Sequence, residues 1–211
     1  MQVDLLQLSA PDTVIEACKK PYKNEKSNID LVNKIINTYK HQSVAEHIIL
    51  SFNIKNISRL CLQELVRHRI ASYTVESTRY TLDSFLDIED NPHYMHIDSI
   101  IEHMNNFMVM PKVKDGDYRE MQVDLADFFL YSLVLIERWK SKGYKADVYK
   151  YFLPESYKTE LVVTFNFRSF LNFIELRHDK KAHFEIRKLA KNMIEVLKTQ
   201  WISKLLLSKY E

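Results

Sequence analysis

The chain has 211 residues, of which 46% are hydrophobic and 27% charged, with a formal net charge of +2. These values are typical of a one-domain globular protein and exclude a global positive field that would draw the chain onto nucleic acid or a membrane. Two cysteines are too few for a disulfide framework, and residues 1–12 lack a signal-peptide pattern, so we expect a cytoplasmic protein without a membrane span.

The first half of the chain alternates between strand and helix patterns. Residues 1–8 are predicted to form an edge strand, and Ser27 is a candidate N-cap for the first helix. The alternation of apolar and polar residues over 47–55 has period two and predicts a half-buried strand. Residues 58–67 are predicted to form a helix, and the chain from there to Tyr80 is expected to be irregular or extended.

The second half begins with residues 83–117, which have no clear period and are predicted to form an irregular connection. Apolar spacing predicts a long helix from Met121 that ends near Gly143, a strand over 161–167, and a C-terminal helix over 186–205. Mixed strands and long helices without a βαβ rhythm predict an α+β fold, with a mixed or antiparallel sheet flanked by long helices, in a single domain.

The glycine content limits how a nucleotide can be bound. The chain has two glycines, Gly116 and Gly143. Glycine-rich phosphate loops need several glycines within a few residues, because backbone amides must approach the phosphate closely. The sequence therefore excludes a Rossmann fingerprint and a P-loop, and a bound nucleotide must be held by side chains.

Residues 67–79 form an unusually basic segment, with three arginines, one histidine, two serines and no lysine. Arginine offers a planar fork of donors that suits phosphate oxygens or a pyrimidine edge. In an extended chain Arg67 and Arg69 would share one face, as would Ser77 and Arg79, so two donor pairs could hold two parts of one anion. The alternative is a surface loop whose arginines form salt bridges with Glu46, Glu64 or Glu76.

The motifs around this segment resemble those of the flavin-dependent thymidylate synthases. Arg67-His68-Arg69 followed after seven residues by Ser77 matches the RHR-x7-S signature, and Ser77-Thr78-Arg79-Tyr80 is similar to S-x-R-Y. His41-x-Ser43-x-x-Glu46-His47 resembles an upstream block, H-x-[ST]-x-x-E-H. Downstream blocks match at Asn166-Phe167-Arg168-Ser169, Asn172, Leu176-Arg177 and Ala182 to Ile186. The ordered blocks extend from about residue 41 to 190.

The resemblance implies residue roles as well as a fold. It implies that FAD is contacted by Ser43, Glu46, Arg67, His68, Arg69, Asn166, Arg168 and Asn172. It implies that dUMP is contacted by Glu64, Val75, Glu76, Ser77, Thr78, Arg79, Lys150 and Arg177. Arg177 would also be catalytic, because a cation at the uracil edge favours the ionised ring and activates C5.

The resemblance further implies the reaction and the assembly. NADPH would reduce FAD, methylenetetrahydrofolate would donate the one-carbon unit, and a homotetramer would share its active sites between subunits. Four positions depart from the family pattern: Lys150 for arginine, Val75 for Glu or Gln, His183 for Gln, and Lys181 near a family histidine. Lysine keeps the charge of arginine but loses its fork.

Other functions are conceivable for these residues. A non-enzymatic nucleotide- or RNA-binding module could use the same arginine cluster, although the near-neutral charge gives it no basic stripe. A hydrolase with Ser77 as nucleophile and His68 as base would lack the usual glycine-flanked elbow. His93, His96 and His103 match no standard zinc spacing, and Cys61 on an apolar helix face is expected to be core.

Overall fold

The computed structural model describes residues 1–23, 26–82 and 96–210, without the side chains of residue 22 and of residues 207–210. The described residues form two compact units. Unit 1 consists of Met1–Lys55, Gln63–Thr74 and Glu160–Glu211, and unit 2 consists of Asn56–Leu62 and Val75–Thr159. The assignment of residues 1–211 to a single domain stays a prediction.

The described strands form one four-stranded antiparallel sheet in the order β1-β2-β4-β3, where β1 is Gln2–Leu8, β2 is Ile49–Ser58, β3 is Ala71–Val75 and β4 is Lys158–Asn166. β1 pairs with β2 alone, which confirms the predicted edge strand. With several helices packed around this sheet, the α+β fold class is confirmed.

Period-two alternation places the apolar residues of the two central strands in the core of unit 1. The buried alternate residues of the two strands are Leu50, Phe52, Ile54, Leu161, Val163 and Phe165, and the pattern continues into Ile48 before β2 and Phe167 after β4. On the opposite face, the hydroxyls of Ser51 and Thr164 lie 2.9 Å apart and form a hydrogen bond between the strands. The strand predictions for 47–55 and 161–167 are therefore confirmed to within a few residues at their ends.

The helices of unit 1 that follow β4 carry the other half of this core. Helix α8 is Phe167–Arg177, α9 is Phe184–Leu197 and α10 is Ser203–Tyr210. Phe170 of α8 stacks on Phe52 with ring centroids 5.6 Å apart, and also contacts Phe165. This aromatic packing fixes α8 on the sheet and thereby sets the position of the residues on its other side.

The helices near the N-terminus of unit 1 differ from the prediction. Helix α1, Pro11–Lys19, was not predicted, and α2, Ile29–Asn33, continues as a π-helix over Lys34–Thr38. The N-cap of α2 is Asn28, not Ser27, because the Asn28 side chain accepts a hydrogen bond from the Leu31 amide at 2.9 Å. A 3₁₀-helix, Gln42–His47, then leads into β2.

The predicted C-terminal helix over 186–205 is interrupted, so that prediction was wrong at its centre. The chain turns between α9 and α10, and the Trp201 indole donates to the Ser9 carbonyl at 3.2 Å. Apolar periodicity continues through the break because Ile202, Leu205 and Leu206 are buried like the residues of α9. Tertiary packing therefore overrode a periodicity that alone indicates one helix.

Unit 2 is mainly helical. Its helices are α4 Thr78–Thr81, α5 Ile97–Phe107, α6 Tyr118–Ser141 and α7 Ala146–Tyr149, and α3, Arg59–Leu65, begins in it. Helix α6 confirms the predicted long helix, and Gly143 beyond its end has φ +83°, a conformation that favours glycine. None of the described helices combines the length and hydropathy that crossing a lipid bilayer requires.

The prediction of an irregular connection over 83–117 was wrong where α5 lies. Residues 83–95 fall outside the described residues, but Ile97–Phe107 is a helix whose N-cap His96 accepts from the Asp98 amide. Its buried face consists of Ile100, Ile101 and Met104, which pack against α6. The sequence signal for this helix is short: apolar residues recur three and four positions apart between polar ones.

Both cysteines are buried and neither is in a disulfide, Cys18 in α1 and Cys61 in α3. Cys61 is fully buried, which confirms its prediction as a core residue. Burial raises the pKa of the Cys18 thiol, which lowers the fraction of reactive thiolate.

Candidate active site

The basic triplet lies in a turn of unit 1 between the end of α3 and the start of β3, not in extended chain. The His68 amide donates to the Leu65 carbonyl at 3.1 Å. The Tyr73 hydroxyl lies within hydrogen-bond distance of two carbonyl oxygens, those of Leu65 at 3.0 Å and His68 at 2.8 Å, and shares its one proton between them. Burial raises the pKa of Tyr73 to about 12, so it remains a donor. Tyr73 therefore closes the turn.

Arg177, the last residue of α8, contacts this turn through three hydrogen bonds. One terminal nitrogen, Nη1, donates to the Glu64 carboxylate, and Nη2 donates to the Glu64 carbonyl at 3.3 Å. Its Nε donates to Nε2 of His68 at 3.0 Å. Because Nε2 is an acceptor here, His68 is neutral with its proton on Nδ1. The guanidinium is thus oriented by a carboxylate and an imidazole.

The surroundings of His68 explain why it stays neutral. The ring is 9% exposed and packs edge-on against Phe173, with centroids 5.0 Å apart. Burial and the charge of Arg177 lower the pKa of His68 to about 4, against an opposing effect of Glu64. An uncharged imidazole can accept from Arg177 without cancelling its charge, and the carboxylate bonded to the guanidinium is that of Glu64.

A cleft of about 730 Å³ lies beside these residues in unit 1. It brings together eight of the residues predicted to contact cofactor or substrate, namely Glu46, Arg67, His68, Arg69, Asn166, Arg168, Asn172 and Arg177. Arg67 and Arg69 lie in a turn and not in extended chain, but both side chains are exposed and line this cleft. The cleft is within the range of volumes found for small-molecule sites and carries four guanidinium groups.

Sequence reasoning missed the other residues of the cleft. These are Gln42, Ile70, Ser169, Leu171, Glu175 and Leu176. Residues 168, 171, 172, 175 and 176 lie on one face of α8 at helical spacing. If 167–177 had been predicted as a helix, this spacing would have added Leu171 and Glu175 to the site.

Some of the predicted ligand-binding side chains have protein partners. Arg168 Nη1 donates to Glu46 Oε1 at 2.6 Å, and Asn166 Oδ1 caps α8 by accepting from the Ser169 amide at 2.8 Å. Arg67 is 3.9 Å from Glu64 and its side chain is 73% exposed, so this pair contributes little. Of the arginines in the basic segment, Arg67 makes one of the expected salt bridges, the weak one to Glu64, while Glu46 is bound by Arg168 from outside the segment.

Ser43 is not among the residues that line this cleft. It lines a second cavity of unit 1, of about 510 Å³, together with Cys18, Pro21, Leu31, Ile35, Tyr39, His41 and Val44. The predicted contact between Ser43 and FAD remains a prediction.

The remaining predicted residues lie in unit 2, apart from Glu64. Ser77 precedes α4, and its carbonyl accepts from the Tyr80 amide at 3.0 Å, so Arg79 lies in a helical turn. The expectation that Ser77 and Arg79 share a face of extended chain was therefore wrong. Val75 ends β3, Glu76 follows it, and Thr78 begins α4.

Arg79 and Lys150 bind the same atom in unit 2. Arg79 Nε donates to Asp147 Oδ1 at 2.6 Å, and Lys150 Nζ donates to it at 2.9 Å. The hydrogen bond from Lys150 lowers the pKa of Asp147 against the opposing effect of desolvation, and Arg79 lowers it further. All three side chains are solvent-accessible. The three groups carry a net single positive charge.

The histidines considered as a hydrolytic base or as metal ligands make other contacts in the structure. Nε2 of His68 is bonded to Arg177, which occupies the nitrogen that a hydrolytic base would use. His96 caps α5, His103 packs on Phe107 and Phe129, and His93 lies outside the described residues. Within 1–23, 26–82 and 96–210, no three His, Cys, Asp or Glu side chains form a group suited to a metal ion.

Comparisons with known proteins identify the family of the chain. A family model described as thymidylate synthase complementing protein matches residues 5–201. The flavin-dependent thymidylate synthase of Wolinella succinogenes is 39% identical over 176 residues, which cover 80% of this chain and 76% of that protein. The enzyme of the same name from Campylobacter jejuni strain RM1221 is 38% identical over 168 residues, covering 80% of this chain and 74% of that protein.

Solved structures give the same result. Thymidylate synthase X from Helicobacter pylori, crystallised with FAD and dUMP, matches with a TM-score of 0.81 and 29% identity, over 98% of this chain and 99% of that chain. A second H. pylori structure, complexed with FAD and dUMP, gives 0.77 and 32%, over 93% and 94%. The chain belongs to the flavin-dependent thymidylate synthase family.

The pKa of His68 predicts a pH dependence of stability. Because the folded pKa of about 4 is below the ordinary 6.5, the unfolded chain binds more protons between these values. The contribution of His68 is complete above pH 6.5 and is lost as the pH falls towards 4, by roughly 1–3 kcal/mol. Urea unfolding of the ligand-free chain from pH 7 to 4 measures this.

The control for that experiment is His68→Gln, which has no titrating group. Its free energy of unfolding should fall less over the same pH range than that of the wild type. His103, whose pKa is also lowered by burial, contributes to both proteins. Parallel curves for the two proteins would show that His68 is not held neutral in the fold.

Proposed function

We propose that the protein is an FAD-dependent thymidylate synthase that converts dUMP to dTMP, with methylenetetrahydrofolate as one-carbon donor and NADPH as reductant. The observation that carries this proposal is the cleft of unit 1, where four arginines and a neutral histidine converge. Support comes from family membership and from the H. pylori relatives, whose structures contain FAD and dUMP.

The residues present suit FAD. A dinucleotide needs donors for its phosphates and for its ring edges, and Arg67, Arg69 and Arg168 supply guanidinium forks in place of a glycine loop. Asn166 and Asn172 add amides that can both donate and accept. When bound and reduced, the flavin supplies the hydride that completes the methyl group.

Arg177 is proposed to act on the uracil ring. Hydrogen bonds to Glu64 and His68 fix its guanidinium, and the cation stabilises the negative charge that develops on a ring oxygen as C5 becomes nucleophilic. C5 then attacks the methylene carbon of the folate, and a carbon–nitrogen bond of the folate breaks as its electron pair passes to nitrogen. A preorganised cation is effective because it does not have to reorient during the reaction.

The residues of unit 2 are proposed to bind the sugar and phosphate of dUMP. Arg79 and Lys150 provide the positive charge, Ser77 and Thr78 provide hydroxyls, and Glu76 has a carboxylate for the sugar hydroxyl. Val75 can contribute only its backbone. Glu64, beside Arg177, is proposed to contact the base.

The assembly and location are proposals as well. A homotetramer with shared active sites is supported by the exposed apolar side chains of α6, where Phe128, Tyr131 and Val134 are 48%, 60% and 43% accessible. A cytoplasmic location is compatible with Cys18 and Cys61, which are not joined in a disulfide.

The reaction is tested directly with purified protein. We expect the absorbance of bound oxidised flavin and conversion of dUMP to dTMP that requires FAD, NADPH and methylenetetrahydrofolate together. Folded protein that lacks both would contradict the proposal. Nucleotide affinity that falls steeply with salt, with no flavin bound, would favour the alternative of a nucleic-acid-binding module.

Two substitutions test the roles of the arginines. Arg177→Ala should lower turnover by about 10²-fold or more while FAD remains bound, because it removes a charge that acts on the developing anion. Arg67→Ala should weaken FAD binding about tenfold, through loss of a charge-assisted hydrogen bond. Arg177→Lys controls for charge without the fork. Wild-type turnover and flavin content in both alanine variants would contradict the residue assignment.

A matched pair at Asn166 separates capping from cofactor binding. Asn166→Ala removes the cap of α8 and should lower the free energy of unfolding by about 1 kcal/mol. Asn166→Ser keeps a capping oxygen and should remain near wild-type stability. Both variants lack the amide, so both should bind FAD more weakly in a titration followed by flavin fluorescence. Wild-type FAD affinity in the serine variant would restrict Asn166 to capping.

A further inference from the structure

One carboxylate oxygen in unit 2 accepts hydrogen bonds from two cations that lie far apart in sequence. Asp147 Oδ1 is 2.6 Å from Arg79 Nε and 2.9 Å from Lys150 Nζ. Arg79 belongs to α4 and Lys150 follows α7, two short helices that pack together in this unit. Because both donors meet at one atom, Asp147 limits how far the two positive charges can separate.

The geometry of these bonds leaves donors for a further anion. Asp147 binds Arg79 through Nε, and this bond does not involve the terminal nitrogens Nη1 and Nη2, which form the fork that suits phosphate. Lysine has three N–H donors, and the bond to Asp147 uses one of them. The carboxylate therefore holds both side chains without using up their donors.

We propose that Asp147 is a positioning residue for substrate, one that holds Arg79 and Lys150 at a separation which the phosphate of a nucleotide monophosphate can bridge. The inference rests on the proposed function, in which these two residues bind that phosphate. The anchoring by Asp147 matters because position 150 is a lysine. A flexible ammonium group without a fork gains more from an anchor than a guanidinium would.

The opposite arrangement can be distinguished by experiment. If Asp147 occupied the place of the phosphate, the substrate would have to displace it, and its removal would strengthen binding. If Asp147 positions the cations, its removal leaves two mobile side chains that must be ordered by the substrate, and binding weakens. The sign of the change in KM therefore decides between the two.

The experiment uses the full-length holoenzyme at low ionic strength. Asp147→Ala should raise the KM for dUMP about fivefold, the size expected for exposed ion pairs, and this rise should shrink at high salt. The value of kcat and the FAD content should stay within about twofold of wild type, since uniform binding of substrate and transition state is lost. Asp147→Glu should restore part of the affinity.

A matched control and a double-mutant cycle complete the design. Asp98→Ala removes an exposed carboxylate of the same unit that binds Arg119 at 2.6 Å, and it should leave the KM unchanged. Lys150→Met combined with Asp147→Ala should raise the KM by less than the two single effects multiplied, because Asp147 acts partly through Lys150.

Binding of dUMP and of deoxyuridine, measured by calorimetry, separates this inference from the proposed function. Wild-type protein should prefer dUMP, and Asp147→Ala should reduce that preference about fivefold. An unchanged or lowered KM, or a loss of kcat and FAD together, would overturn the role of Asp147 while leaving the proposed function intact. A wild-type protein with no preference for dUMP would refute the phosphate site itself, and this inference with it.

Discussion

The ion pair between Arg177 and Glu64, completed by the hydrogen bond to His68, is the interaction on which the cleft of unit 1 depends. It joins the end of α8 to Glu64 in α3, 113 residues away in sequence, and to His68 in the turn after α3, 109 residues away. Both charged side chains are mostly removed from water. Because these side chains are still 19% and 30% exposed, loss of one partner costs less than the roughly 3–5 kcal/mol found for a fully buried pair, and the aromatic packing of α8 on the sheet remains. Because His68 is neutral, it accepts a hydrogen bond from Arg177 and does not repel its charge.

A chain with two glycines must build its anion sites differently from a protein with amide-lined loops. Arginine side chains are longer than backbone amide groups and lose more rotamer freedom when they bind a ligand. They therefore have to be ordered before the ligand arrives. The cleft does this with contacts already present: Tyr73 closes the turn, Phe173 packs against the His68 ring, and Glu46 holds Arg168. The same principle applies to Asp147 in unit 2.

The sequence predicted the features that depend on local pattern and missed those that depend on packing. Period-two alternation located β2 and β4, and the basic triplet located the turn of the site. Helix α8 was not predicted, because residues up to Phe167 were assigned to a strand, although Phe167, Phe170 and Ile174 recur at helical spacing, and Leu171 and Glu175 were therefore not recognised in the cleft. The partnership of His68 with Arg177 has no local signal at all, since it arises only when the sheet brings α8 to the turn.

The edge of the sheet has a consequence for how copies of the chain can associate. β1 has one neighbour among the described strands, and its pairing with β2 is interrupted by a register shift between Leu5 and Gln7. A bulge twists the strand and misaligns its outward backbone groups, which discourages another molecule from extending the sheet. The edge strand β1 is therefore a poor template for a strand of another molecule, which disfavours aggregation through stacked β-strands.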